Sequence, residues 1–126
     1  MKRILLSCFL ITAACAGTIQ KAHAQSSAVS VAAFTAKVNL LDSFIFVGDM
    51  THANTTWTEV HNMLLAELAV TKGNIASASS AAASTSYTTV MNNQYSIYNV
   101  IWSLKADLAT NRAALHTKLN DFAATF

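Results

Sequence analysis

The stretch that decides the fold runs from residue 90 to residue 126: VMNNQYSIYNVIWSLKADLATNRAALHTKLNDFAATF. Within it Val90, Gln94, Ile97, Ile101, Leu104, Leu108, Arg112, Leu115, Leu119, Phe122 and Phe126 recur at steps of three and four. That spacing places them on one face of a helix, with Gln94 and Arg112 as polar interruptions. A second stripe, Tyr87, Met91, Tyr95, Tyr98 and Trp102, runs beside its first half. The uninterrupted pattern predicts a helix from Tyr87 or Gln94 to Ala124, with Asn92-Asn93 as a candidate break. Taken from Tyr87, such a helix would be ~57 Å long at ~1.5 Å per residue.

Upstream segments repeat the period. Val31, Phe34, Val38, Leu41 and Ile45 predict a first helix over about Ala28 to Gly48. Trp57, Val60, Leu64 and Leu68 predict a second. Asp49 to Thr55 is polar, and Thr56-Trp57-Thr58-Glu59 fits a capping box, which starts that second helix at Trp57. Lys72-Gly73-Asn74 fits a helix stop. Ile75 to Ser86 is rich in Ala, Ser and Thr and is compatible with a short helix or a loop. No Pro occurs, and the turn punctuation of a β-sandwich is missing. The expectation is an all-α, elongated three- to four-helix bundle.

The amino terminus reads differently. Lys2 and Arg3 precede an apolar run from Ile4 to Ala16, and Ala22-His23-Ala24 offers a small-x-small cleavage site before Gln25. This is the pattern of a signal peptide, and the run is too short for a spanning helix, which needs ~20 residues. Residues 1–24 are therefore read as a cleaved leader and 25–126 as a single helical domain, periplasmic or extracellular. Thr12-Ala13-Ala14-Cys15 resembles a bacterial lipobox, with Thr12 where that family prefers Leu, Val or Ile. Used as such, it would leave a protein anchored through lipidated Cys15.

Cleavage changes the arithmetic. The whole chain of 126 residues carries a formal +2, but Lys2, Arg3 and Lys21 leave with the leader, so five cations face six acids. Cys8 and Cys15 leave too, which excludes disulfides, thiol catalysis, zinc–thiolate sites and iron–sulfur clusters from the processed chain. With 11% charged residues over the whole chain there is no clustered basic face for nucleic acid. A segment after Ala24 apolar enough to span a membrane is not expected either.

Catalytic constellations are missing from the pattern. No serine lies in Gly-x-Ser-x-Gly, and no Gly-rich phosphate loop occurs. His61 follows Glu59 by two residues, so neither Glu-x-x-His nor HExxH is present. Trp57 and His61, at i and i+4, read as a packing pair, and His52 falls in the expected loop. Asn54-Thr55-Thr56 is a formal glycosylation sequon, read as loop. The chain is expected to be neither an enzyme nor a cofactor or metal protein.

What the sequence does offer is apolar surface beyond one stripe. Leu40, Phe44 and Val47 lie on a flank of the first helix, Phe46 points elsewhere again, and Tyr95, Tyr98 and Trp102 belong to the second stripe of the last helix. Helices apolar on more than one side are central in a bundle or face another chain. These six flank and stripe residues form the candidate interface, for a second copy or for another envelope protein. The aromatic trio could also stack on a sugar or an apolar ligand. Small neutral side chains (Ala, Ser, Thr and Asn make about half of the residues after Ala24) leave little charge to keep protomers apart.

Thr110-Asn111-Arg112-Ala113-Ala114-Leu115-His116-Thr117-Lys118 resembles the last helix of soluble periplasmic b-type cytochromes. The resemblance covers about ten residues and implies His116 as an axial ligand of a non-covalent haem, with a Met as its partner. In that family the Met lies near the processed amino terminus. Here the first ones are Met50 and Met63, and Met63 is the candidate that remains within a helix. An apolar-ligand or haem-binding bundle is thus the alternative to a protein that acts by contact.

Overall fold

A computed structural model describes residues 28–126; the expected leader 1–24, its Ala22-His23-Ala24 site and Cys15 lie outside the described residues. Four helices follow one another: α1 (Val31–Phe46), α2 (Met50–Ala76), α3 (Ala81–Leu104) and α4 (Arg112–Ala123), with a 3-10 turn at Lys105–Asp107. There is no strand among the described residues.

Three of the four helices start where a short polar side chain takes an orphan amide, and α4 starts at Asn111 without such a bond. Ser30 accepts from Ala33 N–H, Asp49 from His52 N–H and Ser80 from Ala83 N–H. The α1–α2 turn needs Gly48, whose φ of +77° is the left-handed conformation that a side chain resists. Gly48 and Asp49 together corrected the expected start of the second helix, which begins at Met50 and not at Trp57. Thr56 is buried within α2, and Glu59 pairs with Lys37 of α1 rather than with a helix end. The polar run from Asp49 to Thr55 is the helix cap followed by a largely solvent-facing first turn. His52 and Asn54 accordingly lie on α2 and not in a loop.

Of two further expected breaks, the stop at Gly73 is displaced by three residues and the one at Asn92-Asn93 is absent. α2 runs through Gly73 to Ala76, and the Gly73 carbonyl is taken by both the amide and the hydroxyl of Ser77, at 3.0 and 2.9 Å. Asn92-Asn93 lies inside α3. The break that does occur is at 105–111, so the expected ~57 Å helix becomes two, of which α3 spans ~36 Å. Side chains build that turn. Asp107 accepts from the amide and hydroxyl of Thr110 at 3.0 and 2.8 Å, and Asn111 donates to the Leu104 carbonyl at 2.9 Å.

Contacts along the helices set an up-down-up-down order. Phe34 at the start of α1 meets Phe122 and Phe126 at the end of α4, with ring centroids 6.3 and 5.2 Å apart. Asp42 near the end of α1 takes a bidentate bond from Arg112 at the start of α4, at 2.8 and 2.9 Å. α1 runs against α2 from Phe44–His52 to Ala28–Glu67, and α3 meets α4 through Gln94 and Thr125. α2 and α4 therefore flank α1, and both also flank α3. The core is the expected stripes: Phe34, Val38, Leu41 and Ile45 of α1; Trp57, Val60, Leu64 and Leu68 of α2; Ile101, Leu108, Leu115, Leu119 and Phe122. No described helix is long and apolar enough to cross a membrane.

Candidate functional site

The side chains with most chemistry converge where α2 faces α3. Trp57 and His61, one turn apart on α2, stack at 5.8 Å between ring centroids and 12° between planes. Tyr98 and Trp102, one turn apart on α3, stack at 6.3 Å and 22°. The two pairs interleave: His61 lies 5.9 Å from Tyr98 and 5.2 Å from Trp102, and its Nε2 is 2.9 Å from the Tyr98 hydroxyl. Lys105 closes the row with its Nζ 5.0 Å from the Trp102 ring centroid.

The electrostatics follow from this packing. Burial, and secondarily the positive charge of Lys105, hold the His61 imidazolium below its ordinary pKa. A neutral His61 either donates to Tyr98 or accepts from it, so the bond survives either tautomer. His61, Tyr98 and Lys105 all lie against Trp102, which is nevertheless 48% exposed. A ring packed on three neighbours has little rotamer freedom left to lose.

The six interface candidates separate into two groups on opposite corners of the bundle. On α1 and its carboxyl cap, Leu40 and Val47 are exposed, while Phe44 is half-buried, packs on the core and stacks on His52 at 5.2 Å. On α3, Tyr95 and Trp102 are exposed, and Tyr98 is half-buried in the cluster just described. Phe46 is exposed with the Arg112 guanidinium 4.7 Å from its ring centroid. His116 lies on α4 with its Nε2 3.2 Å from the Asn39 side-chain oxygen, and Met63 packs against the core from α2. α2 and α4 occupy opposite corners, and the structure does not bring these two residues together. Among the described residues no three His, Cys, Asp or Glu side chains gather.

Two features escaped the sequence reading. Leu65 on α2 and Val100 on α3 are also exposed, at 44% and 43%. More telling, no Asp, Glu, Lys, Arg or His occurs between Lys72 and Lys105, so the whole of α3 is uncharged. The spacing of charges, rather than of apolar residues, would have shown it. Comparison with protein-family models, with curated proteins and with solved structures finds no match.

Proposed function

We propose that this is a secreted or periplasmic protein that acts by protein–protein contact, as a subunit of an envelope or extracellular assembly, and not as an enzyme. The observation that carries the reading is the pair Tyr95 and Trp102, 44% and 48% exposed on a helix with no charged residue. Tyr and Trp are enriched and charge is depleted at the centre of interfaces. A helix face left to water normally carries Lys and Glu. The leader read from residues 1–24 supplies the address. The test is a photo-crosslinking residue at position 95 in the producing cell, with position 117 on α4 as the reference. A discrete adduct confined to position 95 is expected, in an exported chain whose mass begins at Gln25. Absence of any adduct at 95 overturns the contact, and a cytoplasmic, unprocessed chain overturns the address.

A further inference from the structure

We infer that the partner on α3 is a second copy of this chain, packed across the α2–α3 face about a two-fold axis with the two α3 helices antiparallel. The inference rests on the contact reading above and adds the identity and geometry of the partner. The outward stripe of α3 is Ser84, Thr88, Asn92, Tyr95, Asn99 and Trp102, at steps of four and three. All of these except the half-buried Ser84 are exposed. A symmetric contact sets a surface against itself, so every charge on it meets its own duplicate. A surface free of charge escapes that repulsion, and α3 is such a surface from end to end.

Size agrees. α2 and α3 have 27 and 24 residues, and two helices side by side over ~36 Å, each ~10 Å across, present ~700 Å². A specific interface takes ~800 Å² from each partner. Leu65, exposed one turn beyond His61 on α2, widens the apolar part of that face.

Charge and shape together choose the antiparallel arrangement. The nearest cation on α3's own course is Lys105, just past its carboxyl end. Parallel helices would set Lys105 beside its twin, whereas antiparallel ones hold the two nearly a helix length apart. Bulk is likewise uneven: Tyr95 and Trp102 lie in the second half of the stripe, Ser84 and Thr88 in the first. Reversal seats large side chains of one copy over small ones of the other, as interdigitated packing requires. The axis then passes near Asn92, the midpoint of α3.

Single cysteines read this directly, because Cys8 and Cys15 precede Gln25 and the processed chain has no other thiol. Ser84→Cys, Thr88→Cys, Asn92→Cys and Asn99→Cys change stripe positions outside the core, with Leu40→Cys on α1 as the alternative surface. Light scattering of the processed chain is expected to give a dimer. Oxidation is expected to cross-link Asn92→Cys to itself at least ~10-fold more than Asn99→Cys, whose two copies would lie ~21 Å apart. Trp102→Ala is expected to weaken the dimer ~10-fold or more, as loss of an interface aromatic does. Equal cross-linking along the stripe overturns the antiparallel geometry. A dimer that cross-links only through Leu40→Cys overturns the α3 face. A monomer at every concentration whose position 95 still gives the discrete cellular adduct overturns the second copy and leaves the contact reading in place. A monomer without that adduct overturns both.

Discussion

Helices α1 and α3 stand at opposite corners of one bundle and are held there differently. α1 buries four side chains in 16 residues: Phe34, Val38, Leu41 and Ile45. It is tied on both flanks, by Lys37 to Glu59 and by Asp42 to Arg112. α3 is half as long again, yet buries only Gln94 and Ile101. Its remaining hold on the bundle comes from partly buried residues such as Ile97 and Leu104 and from the rings around His61. The difference teaches which helix serves the interior. α1 sends four large apolar side chains into the core while leaving Val31, Leu40 and Phe46 exposed, whereas α3 fully buries only Ile101 among its apolar residues and keeps Tyr95 and Val100 outward, where they contribute little to folding.

The sharpest way to break this contrast is to cut one ring from each helix. Phe34→Ala is expected to destabilise by ~3–5 kcal/mol, the usual cost of truncating a fully buried phenyl ring. Tyr95→Ala is expected to stay within ~0.5 kcal/mol under conditions where the chain is monomeric. Urea midpoints decide, and equal losses would remove the distinction.

Next in size is the turn that delivers α1 to α2. Nothing lies within 4 Å of a Cβ built on Gly48, so Gly48→Ala tests the left-handed backbone alone and is expected to cost ~1–2 kcal/mol. Gly73 also has open space but sits in helical conformation within α2, so Gly73→Ala is expected to stabilise by ~0.5–1 kcal/mol. Thermal melts of the two variants should move in opposite directions.

The smallest effect is acid dependence, and it sharpens the comparison because it belongs to the α2–α3 side. The folded protein holds His61 below its ordinary pKa, so above pH ~6.5 the native state keeps the full benefit of a neutral imidazole. That benefit is lost as the pH falls from ~6.5 towards the lowered value, since the unfolded chain takes the proton first. His61→Phe should remove this limb from the stability profile. Asp49 and Asp107, both held below their ordinary pKa by bonds from His52 and Thr110, act only at lower pH, below about 3.8.

How much of this was legible follows from where the period of 3.6 carries information. Phe34, Val38, Trp57, Val60, Leu64, Leu115 and Leu119 all face inward as their spacing requires. The same periodicity hid the largest correction. Leu104, Leu108 and Leu115 keep pointing at the core across the 105–111 turn, so two antiparallel helices share the stripe of one. That turn contains no Gly or Pro and is made by Asp107, Thr110 and Asn111, whose bonds spacing does not display. Gly48 and Gly73 look alike in sequence, and only the backbone angle separates a turn from a helix interior. At the candidate site the sequence placed Trp57 beside His61 and Tyr98 beside Trp102. Which member of the second pair meets solvent is set by the packing of α3 on α2, which leaves Trp102 exposed and Tyr98 half-buried.

The absence of charge along α3 has a consequence for how the protein is detected. A protease that cuts after Lys and Arg finds no site between Lys72 and Lys105, so digestion leaves residues 73–105 as one fragment with α3 entire. Its neighbour, 38–72, is slightly longer still. Such fragments carry few protons in a mass spectrometer, and Tyr95 and Trp102 make the first of them adhere to surfaces. Surveys that count tryptic peptides will under-report this chain, while cleavage at aromatic residues will reveal it.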